Sequence, residues 1–350
     1  MQMYVLHRHY GEAAGTSHQH KREDDMMLDQ YNRKIDYMRI SVTDKCNFRC
    51  TYCMPKEGIK TLQHEELLHF EEIERIVRSA VELGVRRIKI TGGEPLVRRG
   101  VIRLISSIHK IPGIEEITLT TNGYRLSEYL PDLLEAGVTG INISLDTLNR
   151  ERFQQITGSD ALEKVLQSIE DTLKSGISNV KINCVLMNIN REDWSEVAGL
   201  ARRYPIHVRF IEMMPIGKGT SYLGVTQNQI KKRLEAAYGN LTPCSERLGN
   251  GPAEYYQAEG FRGRIGFISA MSHEFCDSCN RFRLTIDGYV KLCLNCESKI
   301  NLRDFMRQGV SDQELTDFLQ QAIYHKPRCH GFENQDKSDK EVRQMASIGG

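Results

Sequence analysis

Seven of the ten cysteines fall in two short groups. Cys46, Cys50 and Cys53 stand in CNFRCTYC, a C-x3-C-x2-C spacing. Cys276, Cys279, Cys293 and Cys296 stand in FCDSCNRFRLTIDGYVKLCLNC, a C-x2-C-x13-C-x2-C spacing. In a reducing compartment, clustered thiols read as metal ligands rather than disulfides. Three thiolates are one short of a closed four-ligand site, and soft sulfur donors suit zinc or an iron–sulfur cluster. A zinc ion at the first group would need a fourth ligand. His64 and His69 are the nearest candidates, and neither has a usual zinc-finger offset. A cubane on three cysteines would instead leave one iron open. At this point the second group has two readings. Its spacing is close to a zinc ribbon, whereas Arg281 and Arg283, directly after Cys279, suggest an anionic ligand beside the metal. Cys184, Cys244 and Cys329 stand alone and read as inert, Cys184 as a small hydrophobe in an apolar run.

These groups must be held by a scaffold, and the chain announces one. The runs YMRISV, RIKIT, EITLTT, GINISL, VKINCV and HVRFIE read as strands, separated by amphipathic helices. In EEIERIVRSAVELG, Ile73, Ile76, Val77, Ala80 and Val81 recur at helical spacing, and Gly84 follows as a stop. Repeated strand–helix units imply parallel strands with crossover helices. About six such units end near residue 215, and a full barrel needs eight. The expectation is an α/β fold: an incomplete (β/α)6 TIM-like barrel over 36–215, with a smaller C-terminal region over 216–350 closing the open side. Residues 1–35, with His7, His9, His18 and His20, read as a mobile tail.

Each strand alternates apolar with polar residues. If the helices cover the apolar face, the polar face lines the lumen. That places Arg39, Lys89, Lys181 and Arg209 inside. Several cations without matching acids repel one another unless an anion sits among them, and a polyphosphate is the natural candidate.

The bulk numbers exclude more than they assign. A formal net charge of +1 over 350 residues gives no argument for nucleic acid or an acidic membrane surface. No apolar run reaches the roughly 18 residues needed to span a bilayer, and the N-terminus lacks a secretory apolar core. The expected location is cytoplasmic.

CNFRCTYC, with Tyr52 before its last cysteine, resembles the signature of radical S-adenosylmethionine enzymes. TGGEP, from Thr91 to Pro95, resembles that family's second motif, which binds the methionine amino group. More widely, DYMRISVTDKCNFRCTYCMP, ITGGEPLVRR, LTTNG, INISLD, RFIEMMPIG, FCDSCNRFRLTIDG and the terminal IGG resemble the GTP 3′,8-cyclase family of molybdenum cofactor biosynthesis. The likeness runs from about residue 36 to the C-terminus.

That resemblance implies two [4Fe–4S] clusters, one on Cys46, Cys50 and Cys53 and one on Cys276, Cys279 and Cys293, with Cys296 spare. S-Adenosylmethionine as cosubstrate would occupy the open iron of the first, and the guanine of GTP that of the second. An adenosyl radical would take the 3′ hydrogen of the ribose, and C3′ would then bond to C8, giving 3′,8-cyclo-7,8-dihydro-GTP, a lyase reaction. Tyr52, Gly93, Ser144 and Met214 match positions that contact S-adenosylmethionine. Arg39, Lys89, Thr120, Lys181, Arg209, Arg281, Phe282 and Arg283 match positions that hold GTP. Gly349 and Gly350 match a tail that enters the active site. Implied partners are cyclic pyranopterin monophosphate synthase downstream, an electron donor such as flavodoxin or ferredoxin, and a second copy in a homodimer. Two rivals remain: a peptide-modifying radical enzyme with an auxiliary cluster, and a zinc-ribbon binding module attached to a barrel.

Overall fold

The computed structural model describes residues 27–349 except 61, 223, 247, 333–340 and 342. The four N-terminal histidines and Gly350 lie outside the described residues. Six strands follow the expected runs: β1 (Tyr37–Ser41), β2 (Arg87–Thr91), β3 (Glu116–Thr121), β4 (Gly140–Ser144), β5 (Asn179–Val185) and β6 (His207–Ile211). They pair in chain order and in parallel. Between them run α1 (Phe70–Glu82), α2 (Val101–His109), α3 (Leu126–Glu135), α4 (Arg150–Thr157), α5 (Leu162–Lys174) and α6 (Trp194–Arg203).

Sequence periodicity explains why these helices pack as they do. In α1, Ile73, Ile76, Val77 and Ala80 share one face and are fully buried. Each branched aliphatic so buried contributes about 1.5–3 kcal/mol. Glu72 accepts the His69 N–H at 2.8 Å to cap the first turn, and Gly84 at φ +94° carries the chain out of the last.

The C-terminal region enlarges the same sheet rather than forming a separate layer. After α7 (Gln227–Tyr238) come β7 (Thr242–Cys244), β8 (Glu254–Gln257), β9 (Ile265–Ile268), β10 (Arg281–Leu284), β11 (Tyr289–Lys291) and β12 (Ile300–Asn301). The strand order is β12-β11-β10-β1-β2-β3-β4-β5-β6-β9-β8-β7. β9 adds in parallel to β6, and β10 in parallel to β1. The parallel run is therefore longer than the six βα units expected. Strand–helix periodicity does not reveal these two strands, because each is followed or preceded by an antiparallel hairpin partner. The sheet stays open, and residues 269–280, carrying Cys276 and Cys279, cross from one edge of the parallel run to the other. The remaining helices are α8 (Leu302–Met306), α9 (Asp312–Tyr324) and α10 (Met345–Ile348). α9 joins the outer helical layer at α1, through Arg75 to Asp312 at 2.6 Å.

Residues 27–35, which the sequence reading gave to the tail, are built into the body. Met27 and Ile35 lie in the hydrophobic core, and the Arg33–Asp29 pair is buried at 2.6 Å. Among the described residues, no helix is long and apolar enough to cross a membrane.

Candidate functional site

The first cysteine loop leaves the C-terminal end of β1, where side chains and backbone of neighbouring strands converge. The Arg49 and Thr51 N–H groups donate to Thr157 and Ile156 carbonyls at 2.7 and 2.9 Å, tying the loop to the end of α4. On its other side lies the glycine pair after β2. Gly93 N–H donates to Thr43 O at 2.6 Å, and a Cβ on Gly93 would stand 2.4 Å from Lys45 O. Only glycine permits that approach. The next residue, Glu94, is almost fully buried. It accepts from Thr121 Oγ1 at 2.8 Å, Asn122 N at 2.6 Å and Leu96 N at 3.1 Å. Burial pushes its carboxyl up to about 7 against those donors. Asn122 in turn donates to Asn47 Oδ1 at 2.8 Å and approaches Cys46 Sγ at 3.8 Å. Glu94 and Asn122 thus lock the ends of β2 and β3 to the cysteine loop. Burial raises all three thiols, Cys53 to about 12 and Cys50 well above the usual thiol range.

Tyr52, Gly93, Ser144 and Met214 border one cavity with the cysteines. The Tyr52 hydroxyl donates to Asp146 Oδ2 at 2.9 Å, and Asp146 Oδ1 accepts Val185 N–H at 2.8 Å. Burial pushes Asp146 up to about 6. Met214 packs against Ile216, Ala270, Phe332 and Ile348, while Met213 packs with Ile156 and Met187.

The cavity, about 380 Å3, continues down the barrel through the alternating polar face. Register sets Arg283, Arg39, Lys89 and Thr118 side by side across β10, β1, β2 and β3. It aligns Thr120, Asn142 and Lys181 across β3, β4 and β5. Arg209 donates to Asn183 Oδ1 at 2.9 Å and to Asn142 Oδ1 at 2.6 Å. Lys181 donates to Asn179. These partners are neutral, so they position the cations without cancelling their charge. Burial and mutual repulsion follow: Lys89 is held well below the usual lysine range, and Lys181 is brought down to about 8 by burial and then by Arg209. The lining carboxylates are Glu116 and Glu212. Glu116 sits at the far end, where Asn250 of the 248–253 loop donates to it at 2.6 Å. Glu212 instead accepts the Met271 and Ser272 N–H groups at 3.0 and 2.9 Å, shaping the segment that leads to Cys276.

Arg281 and Arg283 both border the cavity. Phe282 lies between them on β10, so its side chain points to the opposite face, into the hydrophobic core. Its backbone is what the cavity can meet. Cys276, Cys279 and Cys293 border the same cavity and Cys296 does not. Burial works to raise Cys279, but Arg281 and Lys326 outweigh it and bring the thiol down to about 7. A hydrogen bond from the Cys296 thiol holds Cys293 below the usual range. Arg33 braces this region, donating to the carbonyls of Cys276, Pro327 and Arg328 at 2.8, 2.7 and 2.9 Å.

The C-terminal tail reaches both cysteine groups' surroundings. The Ala346 backbone lies beside the Cys53 sulfur and works to lower that thiol against burial. Gly349 is buried at φ +78°, and a Cβ there would lie 3.0 Å from Ser41 Cβ and 3.2 Å from Thr91 Cγ2. Its carbonyl accepts from Arg283 Nη1 at 2.6 Å.

The sulfur spacing tests what these thiols can hold. A tetrahedral zinc, with Zn–S near 2.3 Å, needs sulfurs about 3.8 Å apart. Among the described residues, the group of three or more His, Cys, Asp or Glu donor atoms gathered within 4.8 Å is Glu274, Cys276 and His330, and neither set of thiols closes that far. Cys46, Cys50 and Cys53, and likewise Cys276, Cys279 and Cys293, border the cavity as all-sulfur donor sets, which suit an iron–sulfur cluster.

Sequence reasoning did not single out Glu116, Asp146, Arg33 or the 248–253 loop, and it read Glu94 only as part of a motif. An acid ending an apolar strand, as in INISLD, was a usable signal for Asp146. A lone arginine in a polar stretch carries none.

A family model described as the radical SAM superfamily matches residues 40–201, and one described as Molybdenum Cofactor Synthesis C matches residues 206–332. A Clostridium perfringens protein named GTP 3′,8-cyclase is 46% identical over 325 residues, covering 93% of this chain and 100% of that one. A Syntrophomonas wolfei protein of the same name is 45% identical over 328 residues, with the same coverages. Among solved structures, Streptococcus suis SuiB bound to S-adenosylmethionine superposes with a TM-score of 0.59 at 15% identity, over 87% of this chain and 69% of that one. At that identity the likeness speaks for the fold alone.

Proposed function

The chain belongs to the GTP 3′,8-cyclase family of radical S-adenosylmethionine enzymes in molybdenum cofactor biosynthesis, and from that premise we propose how its own residues serve the reaction. The observation that carries the proposal is one cationic cavity bordered by two three-cysteine sites. Cys46, Cys50 and Cys53 would hold one [4Fe–4S] cluster, and Cys276, Cys279 and Cys293 the other. When bound, the clusters and S-adenosylmethionine supply the single-electron chemistry of the family. Gly93, Tyr52, Ser144 and Met214 orient the cosubstrate at the C-terminal ends of the strands. Arg39, Lys89, Thr120, Lys181, Arg209 and Arg283 receive the triphosphate, with Arg281 and the Phe282 backbone on the side of the second cysteine group. The neutral amides behind Arg209 and Lys181 aim these cations without cancelling their charge, so the ligand itself completes the charge balance.

Gly349 acts by presenting backbone where a side chain would not fit, and its carbonyl fixes Arg283; the family resemblance assigns Gly350 to the same tail. The reaction is of lyase type, takes place in the cytoplasm, draws electrons from a flavodoxin- or ferredoxin-like donor and passes its product to cyclic pyranopterin monophosphate synthase. A homodimer suits this arrangement. The test is anaerobic incubation of reduced, reconstituted protein with S-adenosylmethionine and GTP. The reading expects 5′-deoxyadenosine together with a cyclised dihydro-nucleotide. 5′-Deoxyadenosine with unaltered GTP would overturn it.

A further inference from the structure

His330 borders the cavity beside the second cysteine group and is buried, 7% exposed. Its environment fixes the ring in three ways. Its carbonyl accepts from Asn295 Nδ2 at 2.6 Å. Its ring lies 4.5 Å from the Phe332 ring. Nδ1 accepts the Phe332 N–H at 3.2 Å. A nitrogen that accepts cannot carry the proton, so the neutral ring is the Nε2–H tautomer. That Nε2 is buried with no hydrogen-bond partner among the described residues. The nearest carboxylate oxygen, Glu274 Oε1, is 3.4 Å away and outside hydrogen-bond geometry. A ring nitrogen of His330, Cys276 Sγ and a Glu274 oxygen lie within 4.8 Å of one another. Leaving a buried N–H unmatched costs about 1–3 kcal/mol, and the ring lies beside Cys276, one of the thiols assigned to the second cluster.

We propose that His330 is a positioning residue whose Nε2–H donates to a sulfur of the group held by Cys276, Cys279 and Cys293. The inference rests on the assignment of a cluster to those cysteines. Hydrogen bonds to sulfur stabilise the more negative, reduced state, so the donor raises the reduction potential of that cluster. His330 is thus a tuning device for the second site, as Asn122, the side-chain donor to Cys46 sulfur, is for the first.

The experiment uses the full chain reconstituted in a Cys46→Ala/Cys50→Ala/Cys53→Ala background, which isolates the second cluster. Its potential and electron paramagnetic resonance spectrum are compared for the parent, His330→Phe, His330→Gln and Glu274→Gln. The expected result is unchanged iron content throughout, a more negative potential in His330→Phe, partial recovery in His330→Gln, and no shift in Glu274→Gln. Equal potentials in parent and His330→Phe would overturn the proposal. So would a shift in Glu274→Gln matching that of His330→Phe, or loss of the irons in both His330 variants, which would make His330 a partner of Glu274 or a ligand. A background protein that binds no cluster would overturn the cysteine assignment itself and the inference with it.

Discussion

The two cysteine groups hold the same kind of donor in differently built settings. The first is a single eight-residue loop on the rigid end of a parallel strand, and its half-buried thiols are all raised by desolvation. The second is assembled from the crossing segment with Cys276 and Cys279, the turn after β11 with Cys293, and the 326–330 segment. Its thiols are set one by one: Arg281 and Lys326 bring Cys279 down, a hydrogen bond from Cys296 lowers Cys293, and burial raises Cys276 to about 11. The contrast teaches that a metal site can be made by local sequence or by tertiary closure, and that the second kind fails when remote braces fail.

Breaking each site separately gives the largest effect. Cys50→Ala should lose about four irons and all S-adenosylmethionine cleavage. Cys279→Ala should lose a similar number yet keep cleavage to 5′-deoxyadenosine. Cys296→Ala should keep about eight irons. Iron analysis and chromatography of the nucleoside check all three.

The brace comes next. Arg33→Ala leaves the Asp29 carboxylate buried without its partner and frees four carbonyls around the second site, those of Cys276, Lys326, Pro327 and Arg328. Stability measured by denaturant should fall by about 3–5 kcal/mol, and iron should leave the second site before the first. Equal loss from both would erase the distinction between local and tertiary closure.

The tail sharpens the comparison because it touches both regions. Gly349→Ala puts a Cβ at a left-handed φ and against Ser41 and Thr91. A cost of about 1–2 kcal/mol at the residue holding Arg283 should cut cyclisation by about tenfold, with both clusters intact. Residues appended after Gly350 should abolish it.

The smallest effect lies in the cavity between the sites. Lys181, brought down to about 8, is charged below that value and neutral above it, and a phosphate favours the charged form. GTP affinity should therefore weaken as pH rises through about 8. Lys181→Arg, charged throughout, should flatten that step in a binding titration.

Much of this was legible in the chain because it is written locally. Period-two alternation put Arg39, Lys89, Lys181 and Arg209 in the lumen, and the three-cysteine spacing marked the first site. What depends on distant contacts was not legible. The second spacing is close to that of a zinc ribbon, and spacing alone does not separate a zinc site from a cluster site. Arg33 sits in a stretch that reads as tail until its partners, some 240 residues or more away in sequence, are known. Alternation within β10 turns Phe282 to the core although its neighbours face the cavity. β9 and β10 extend the sheet through pairings that βα periodicity does not encode.

The most direct test of two open-iron sites sharing one cavity is the resonance spectrum of the second cluster alone, in the background lacking Cys46, Cys50 and Cys53. GTP should alter that spectrum and S-adenosylmethionine should leave it unchanged. A spectrum indifferent to GTP, or one that responds to S-adenosylmethionine, would contradict the division of labour drawn between the two sites.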